Sequence, residues 1–429
     1  MKIKRIGMLG YGTVGKGLVQ VISSLKDEIK KKEGLEFIFK KIVIKNREKV
    51  RNTNNKPPCP LTFEPSEVIS DDIDIVVELT GDVELSKKII TDAFRNGKDV
   101  ITANKALLGS YGKEIFEMAS RYFGFKAAVT GCHYFMDFIS IARLTGNRIR
   151  RMYGILNGTC NFILNSMEDN NMEFEEALAQ AQRLGYAEAD PKLDLDGTDT
   201  AQKISLMAAL AYGYDIKYTD FYFEGIEKIE KVDINFAKEL DYKIKLLAIV
   251  EKVNGDFFYD RIDIRAHPCL VPRNSVLSSA KGNYNAFQLE DDYGVTPVLV
   301  APGAGANPTA IAVLTDIINA SKDMKPLLPV YSENFSLVDI NEIRSKYYIR
   351  LNVLDQVGVF AKIANILAEH NISISSVIQK AEGKEVVPII ITTHEAAEKD
   401  VQTSLQKIRV LNFVKSEPLL IRIFDRGLG

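Results

Sequence analysis

Cysteine and histidine are both scarce in this chain. Cys59, Cys132, Cys160 and Cys269 lie far apart, with no metal-ligand spacing among them, so a reduced, cytoplasmic setting is the simple expectation. The four histidines are equally scattered. Cys132 and His133 are adjacent, but neighbours on a strand point to opposite faces, which argues against a transition-metal site. Neither sign of charge dominates: 55 Lys and Arg stand against 57 Asp and Glu, a net charge of −2, so there is no electrostatic footprint for nucleic acid. No apolar run reaches the length of a membrane span. The start, MKIKRIGMLGYG, enters a strand at once, so neither a signal peptide nor a membrane partner is expected.

What is present is ordinary globular material. The 429 residues are 46% hydrophobic and 26% charged, enough for two or three domains with a large core. The apolar strand Ile3–Leu9 runs into Gly10-Tyr-Gly12-Thr13-Val14-Gly15, and an amphipathic helix is expected from Leu18 to about Lys30. This is G-x-G-x-x-G in the setting it requires, after a strand and opening a helix. Gly10 permits the tight turn, Gly12 lets the backbone approach a pyrophosphate, and Gly15 allows close helix–strand packing. The helix N-terminus offers free N–H groups to the phosphates.

Further strands are expected at Phe37–Ile44, Ile73–Leu79 and Lys98–Thr102, with a helix at Glu84–Arg95. Alternating strands and helices predict a parallel, doubly wound sheet with ligand at the strands' carboxyl ends. Thr80-Gly81 and Lys105 fall at such ends. The acid that would grip a ribose is missing after the second strand, which reads Lys45-Asn-Arg47-Glu48-Lys49. Arg47 and Lys49 suit a 2′-phosphate and favour NADP, whereas Glu48 suits NAD. Phe125–Thr130 is expected to return as a strand and cross into a second domain.

The stretch Arg183–Ala209 concentrates Glu188, Asp190, Asp194, Asp196, Asp199 and Lys203 around a turn and a helix start. Asp190-Pro191 cannot continue a helix. Asp196-Gly197 signals a turn, with Thr198 or Asp196 as N-cap of a helix to about Ala211. Leu206, Met207, Leu210 and Ala211 form an apolar arc at helical spacing. Asp199 and Lys203 fall inside that arc, one turn apart. An ion pair on a buried face costs desolvation, so this pair is read as lining a cleft. Helices at Asn161–Asp169, Glu173–Leu184 and Asn235–Leu240 are expected too. With strands at Lys243–Val253, Phe257–Ile264, Asn285–Glu290 and Val295–Val300, they predict an α+β domain.

Three blocks carry a resemblance to the homoserine dehydrogenase family. They are Gly-Lys98-x-Val-x-Thr-Ala-Asn104-Lys105-Ala-Leu-Leu, Gly154-Ile-Leu-Asn157-Gly158-Thr159-Cys-Asn-Phe-Ile-Leu164, and Leu184-Gly-Tyr186-Ala-Glu188-Ala-Asp-Pro191 with its Asp–Lys sequel. Arg265–Pro272 resembles the family's segment after a sheet strand, with a structural role. Pro302-Gly303-Ala-Gly305-Ala-Asn-Pro308-Thr309 resembles the glycine-rich turn that brings the chain back to the nucleotide domain through a helix, Thr309–Ala320.

The resemblance implies reversible, NAD- or NADP-dependent interconversion of L-aspartate 4-semialdehyde and L-homoserine in threonine, methionine and isoleucine biosynthesis. It places Lys105 and Lys203 beside the reacting oxygen, where a lysine whose pKa is lowered by burial exchanges the proton. Glu188, Asp194 and Asp199 would meet the substrate ammonium, and Asn157, Gly158, Thr159 and Tyr186 would line the pocket. Gly10, Gly12, Thr13, Val14, Gly15, Arg47, Thr80, Gly81, Lys105 and Gly305 would hold the cofactor. A homodimer or homotetramer is the family expectation. With no kinase fold ahead of the nucleotide domain, the chain reads as monofunctional.

The tail alternates as βαββαβ from Tyr347 to about Phe424 and resembles the ACT regulatory domain. Asp355, Gly358 and Asn371 match its amino-acid-binding loops, threonine being the family expectation, with Val357 where proline is usual. The expected division is a nucleotide domain at 1–130 completed by about 301–320, a substrate and dimerisation domain at 131–300, a linker at 321–344, and the ACT unit at 345–429.

One run departs from the family pattern. The resemblance implies a structural monovalent cation near Val129 and Gly131, helped by a glutamate, but Lys126 stands in that glutamate's place and His133–Met136 are bulky. A charged lysine cannot ligate a cation. The competing reading is a catalytically impaired homologue that regulates through its ACT tail. The pair of lysines argues against it, because a binding protein need not keep both.

Overall fold

A computed structural model of the chain describes residues 1–45, 57–144, 146, 148–253, 260–303, 305–326, 328–380 and 385–425. The first apolar run forms β1 (Lys2–Leu9). Helices α1 (Thr13–Ser24) and α2 (Lys26–Glu33) follow, so the single helix expected to Lys30 is two. The Ser24 hydroxyl donates to the Val21 carbonyl at 3.0 Å just before the break, and such back-bonding competes with the helical ladder. The chain continues through β2 (Leu35–Val43), β3 (Leu61–Thr62), β4 (Ile75–Glu78), α3 (Val83–Arg95), β5 (Asp99–Thr102), α4 (Lys105–Met118) and β6 (Phe123–Gly124). These six strands form one parallel sheet in the order β3-β2-β1-β4-β5-β6. Ile75, Val76 and Val77 are fully buried, as expected of a strand covered on both faces. Strand order reverses between β1 and β4, which marks the ligand crevice at their carboxyl ends.

The strand expected at Phe125–Thr130 is not one. Phe123–Gly124 takes the sheet edge, and α5 (Lys126–Val129) and α6 (Tyr134–Leu144) follow as helices. Asp316 accepts a hydrogen bond from the Lys126 backbone N–H at 3.1 Å and anchors that turn. Phe135 and Met136 are buried in the core, Phe135 against the Phe287 ring.

The next region runs β7 (Ile149–Ile155), α7 (Gly158–Asp169), α8 (Phe174–Arg183), α9 (Lys192–Leu195), α10 (Thr198–Tyr212), β8 (Tyr222–Phe223), α11 (Lys231–Glu239), β9 (Tyr242–Val253), β10 (Asp260–Pro272), β11 (Tyr284–Asp291) and β12 (Val298–Pro302). Five of these strands make an antiparallel run, β12-β11-β7-β9-β10. Arg265–Pro272, expected to follow a strand, lies inside β10 and pairs with β9 along its whole length. The chain returns through α12 (Ala306–Ser321), whose Ala310, Val313, Leu314 and Ile317 join the core with Ile6, Met8, Leu18 and Ile22 of β1 and α1. The stretch expected as a linker is tied down at β13 (Phe335–Leu337), which pairs in parallel with β10.

The tail folds as β14 (Arg344–Leu354), α13 (Val359–Glu369), β15 (Ile374–Gln379), β16 (Val386–Thr393), β17 (Ala396–Ala397), α14 (Glu398–Arg409) and β18 (Leu419–Ile423). Its strands are ordered β18-β14-β16-β15, and β18 also pairs in parallel with β10 through Cys269–Arg422 and Leu270–Ile423. One sheet therefore runs from the middle region into the tail. Arg350 of β14, almost fully buried, meets Asp233 of α11 at 2.8 Å across that junction. Among the described residues no helix is long and apolar enough to cross a membrane.

Candidate active site

The carboxyl ends of β1, β4 and β5 are neighbours, and each ends in a loop built for close approach. After β1 the chain turns at Gly10 (φ 104°) and Gly12 sits at the N-cap of α1. A Cβ on Gly15 would lie 2.6 Å from the Gly10 carbonyl oxygen, whereas one on Gly12 would meet nothing within 4 Å. Gly15 thus closes the helix onto the turn, and Gly12 faces open space above it. The first N–H groups of α1, at Thr13 and Val14, have no partners within the helix. This cradle fits a dinucleotide pyrophosphate.

After β4, the fully buried Glu78 organises the next loop. Its carboxylate accepts from the Thr80 N–H (2.7 Å), the Thr80 hydroxyl (2.8 Å) and the Thr102 hydroxyl (2.6 Å). Thr102 accepts from the Asn104 N–H at 3.0 Å, and the Asn104 side chain caps α4 at the Leu107 N–H. Lys105, the first residue of α4, is thereby fixed at the carboxyl end of β5. Sequence reasoning missed Glu78 and Asn104 as positioning groups. An acid at the carboxyl end of the apolar strand Ile-Asp-Ile-Val-Val-Glu-Leu was the available signal.

From the middle region, Gly197 sits at the N-cap of α10 with φ 88°, where an added Cβ would lie 2.8 Å from the Glu224 carbonyl oxygen. The N-cap expected at Thr198 or Asp196 is Gly197 instead, with no side-chain cap, and Asp196 accepts from the Thr198 N–H at 2.9 Å in the turn just before it. Asp199 and Lys203 are both largely buried on α10, and their charged atoms lie 2.7 Å apart. The Lys105 ammonium donates to the other oxygen of Asp199. Lys203 also donates to the Leu156 carbonyl at 2.9 Å, and Asn285 donates to the same oxygen at 3.0 Å.

Asn157 caps α7 through the Cys160 N–H (2.8 Å), and its amide donates to Asp194 (2.6 Å) and Asp199 (2.9 Å). Thr159 donates its hydroxyl to the Tyr186 carbonyl at 2.6 Å. Gly158 lies so close to Asn283 that a Cβ would sit 2.5 Å from its carbonyl oxygen. Lys105, Lys203, Asp199, Asp194 and Asn157 therefore form one connected cluster. Glu188 is on the exposed loop after α8, outside it.

The electrostatics follow from burial and neighbours. Burial alone would raise the Asp199 pKa, but Lys203 and Lys105 outweigh it and hold the carboxylate well below the usual range. Burial and the nearby Asp199 charge raise the Asp194 pKa, opposed by the Asn157 hydrogen bond.

Arg47 lies outside the described residues, as do Glu48 and Lys49. Lys45, which is described, pairs with Asp82 at 2.7 Å. Gly305 takes φ 127° at the N-cap of α12. In the tail, Gly358 (φ 86°) caps α13, Asn371 takes φ 57°, and Asp355 accepts from the Gln379 amide at 3.2 Å. Val129 closes α5, and the Gly131 N–H donates to the Gly303 carbonyl at 3.0 Å.

A doubly wound nucleotide fold whose loops face a paired-lysine, paired-carboxylate cluster defines a nicotinamide-dependent oxidoreductase. Residues 137–318 match the family described as homoserine dehydrogenase, residues 10–124 its NAD binding domain, and residues 347–413 the ACT domain. The chain is 36% identical to homoserine dehydrogenase of Neisseria gonorrhoeae over 99% of both proteins, and 34% identical to that of Bacillus subtilis over the whole of both. A solved homoserine dehydrogenase from Thiobacillus denitrificans superposes with a TM-score of 0.89 at 35% identity, over 100% of this chain and 99% of that one. The chain belongs to the homoserine dehydrogenase family. Its activity is the family's nicotinamide-dependent interconversion of L-homoserine and L-aspartate 4-semialdehyde, and nothing in these likenesses favours the impaired-regulator reading.

Proposed function

We propose that Lys105 and Lys203 together handle the proton on the reacting oxygen, with Asp199 as their shared positioning group. The observation that carries this is the meeting of both ammonium groups on one buried carboxylate, from two different sheets' helices. Oxidation of the alcohol removes a hydride from carbon and a proton from oxygen. The nicotinamide cofactor, when bound, supplies the hydride acceptor, or the donor in reverse. The substrate hydroxyl approaches the two lysines and passes its proton to the one that serves as base; reduction runs the same transfer backwards.

Asp194 is the group proposed to receive the substrate ammonium. Its carboxylate is disfavoured by burial and by Asp199, and an arriving ammonium relieves both. The Asn157 amide bridges the two carboxylates, and Gly158, Thr159 and Tyr186 form the adjoining wall. Glu188, on the exposed loop after α8, is the further acid proposed for the substrate ammonium. Gly10, Gly12, Thr13, Val14, Gly15, Thr80, Gly81 and Gly305 hold the cofactor, and the missing ribose acid together with Arg47 favours NADP. Asp355, Gly358 and Asn371 take an amino-acid regulator, threonine, at the tail's loops. The working form is a homo-oligomer, and the units divide near residues 130, 300 and 345.

The test is homoserine-dependent reduction of NADP and of NAD by the purified chain and by Lys203→Ala and Lys105→Ala. Turnover in the parent with loss of kcat in both variants, while cofactor still binds, supports the roles. Unchanged kcat in either variant removes that lysine from the reaction.

A further inference from the structure

Lys126 is placed where the family resemblance leads one to expect an acid serving a bound monovalent cation, and its surroundings say what it does instead. Its ammonium lies 2.6 Å from Asp137 on α6 and 3.8 Å from Asp316 on α12. Asp316 also accepts from the Tyr122 hydroxyl at 3.0 Å and from the Lys126 backbone N–H at 3.1 Å. Asp316 is almost wholly buried, and the Lys126 side chain is 15% exposed. Burial pushes the Asp316 carboxyl up to about 6, and the Lys126 charge is the largest influence opposing it.

Two carboxylates thus converge from α6 and α12 on one point beside α5, and a positive charge is needed there. The point is structural: the chain leaves the nucleotide sheet through β6 and α5, enters the middle region by α6, and returns by α12. Val129, the carbonyl donor expected for a cation, lies one helical turn from Lys126 on the same face. A cation added beside these two carboxylates would meet the ammonium already paired with them. The residues present do not fit a bound metal ion as the resemblance describes it.

We propose that the Lys126 ammonium takes the place of a bound monovalent cation at this domain junction, so that the enzyme needs neither sodium nor potassium. The inference rests on the family reading both for the cation it replaces and for its activity assay.

The experiment uses the full chain, freed of sodium and potassium in choline chloride at constant ionic strength. Homoserine-dependent turnover and the melting temperature are measured before and after replacing choline by sodium or potassium. Both should stay the same for the parent protein. In Lys126→Gln the two carboxylates lose their counter-charge, so the melting temperature should fall in choline and recover partly with sodium or potassium. A several-fold rise in parent activity, or a rise in its melting temperature, on adding either ion overturns the proposal. So does a Lys126→Gln protein with the parent's melting temperature in choline. Should Lys126→Gln not fold, the parent comparison alone decides the matter. Absence of turnover under every condition would strike at the family's activity and leave the melting data to judge the cation.

Discussion

Lys105 and Asp199 are 94 residues apart in sequence and joined by a hydrogen bond between the carboxyl end of the parallel sheet and the start of α10. The contact bridges the NAD binding domain and the middle region of the chain. Removing the carboxylate should therefore disturb both lysines at once. Asp199→Asn is expected to lower kcat by roughly 100-fold through misplacement and to lower stability by about 3 kcal/mol, because two largely buried ammonium groups lose their counter-ion. Steady-state kinetics and urea melts check the two effects separately.

The two glycines of the first turn should respond differently. Gly12→Ala places its methyl in open space, so stability should change by no more than about 0.5 kcal/mol while the KM for the cofactor rises. Gly15→Ala drives a methyl against the Gly10 carbonyl oxygen at 2.6 Å and should cost about 1–3 kcal/mol. Thermal melts without cofactor, compared with cofactor titrations, separate the two.

Glu78 should act through the loops it ties. Glu78→Gln keeps the shape but weakens acceptance from Thr80 and Thr102. A loss of about 1.4 kcal/mol in loop order corresponds to a roughly tenfold rise in cofactor KM, with the homoserine KM little changed. Equal rises in both would show that Glu78 serves general folding only.

His267 supplies a pH signature. It is fully buried on β10, and burial first, then the Arg422 and Arg265 charges, hold its pKa well below the ordinary value. A depressed folded pKa contributes stability that is present above the unfolded value of about 6.5 and lost as pH falls below it. The melting temperature should therefore fall from pH 7 towards pH 5, and His267→Gln should flatten that slope whatever its effect on the starting stability. An unchanged slope would exclude His267 as its source.

The sequence made some of this legible for local reasons. Val-Val-Glu and Asp-Val-Ile-Thr strands between amphipathic helices announce a parallel sheet, and Asp199 with Lys203 inside an apolar arc announced a buried pair. Other features depend on partners far away. Lys126 gains its meaning from Asp316, 190 residues on, and Glu78 from Thr102 on the next strand. β7 was not legible because Ile149-Arg-Arg-Met-Tyr alternates only in part; Arg151 is satisfied by Glu290 at 3.1 Å across the pairing with β11. α6 was not anticipated from the sequence, though Phe135, Met136 and Ile139 are its buried face.

The most direct measurement is the absorbance of the reduced nicotinamide band as purified protein turns over L-homoserine with NADP or NAD. Homoserine-dependent reduction that is lost in both Lys105→Ala and Lys203→Ala, with cofactor binding retained, is the expected result. Full turnover in either variant would contradict the shared proton-handling pair built on Asp199.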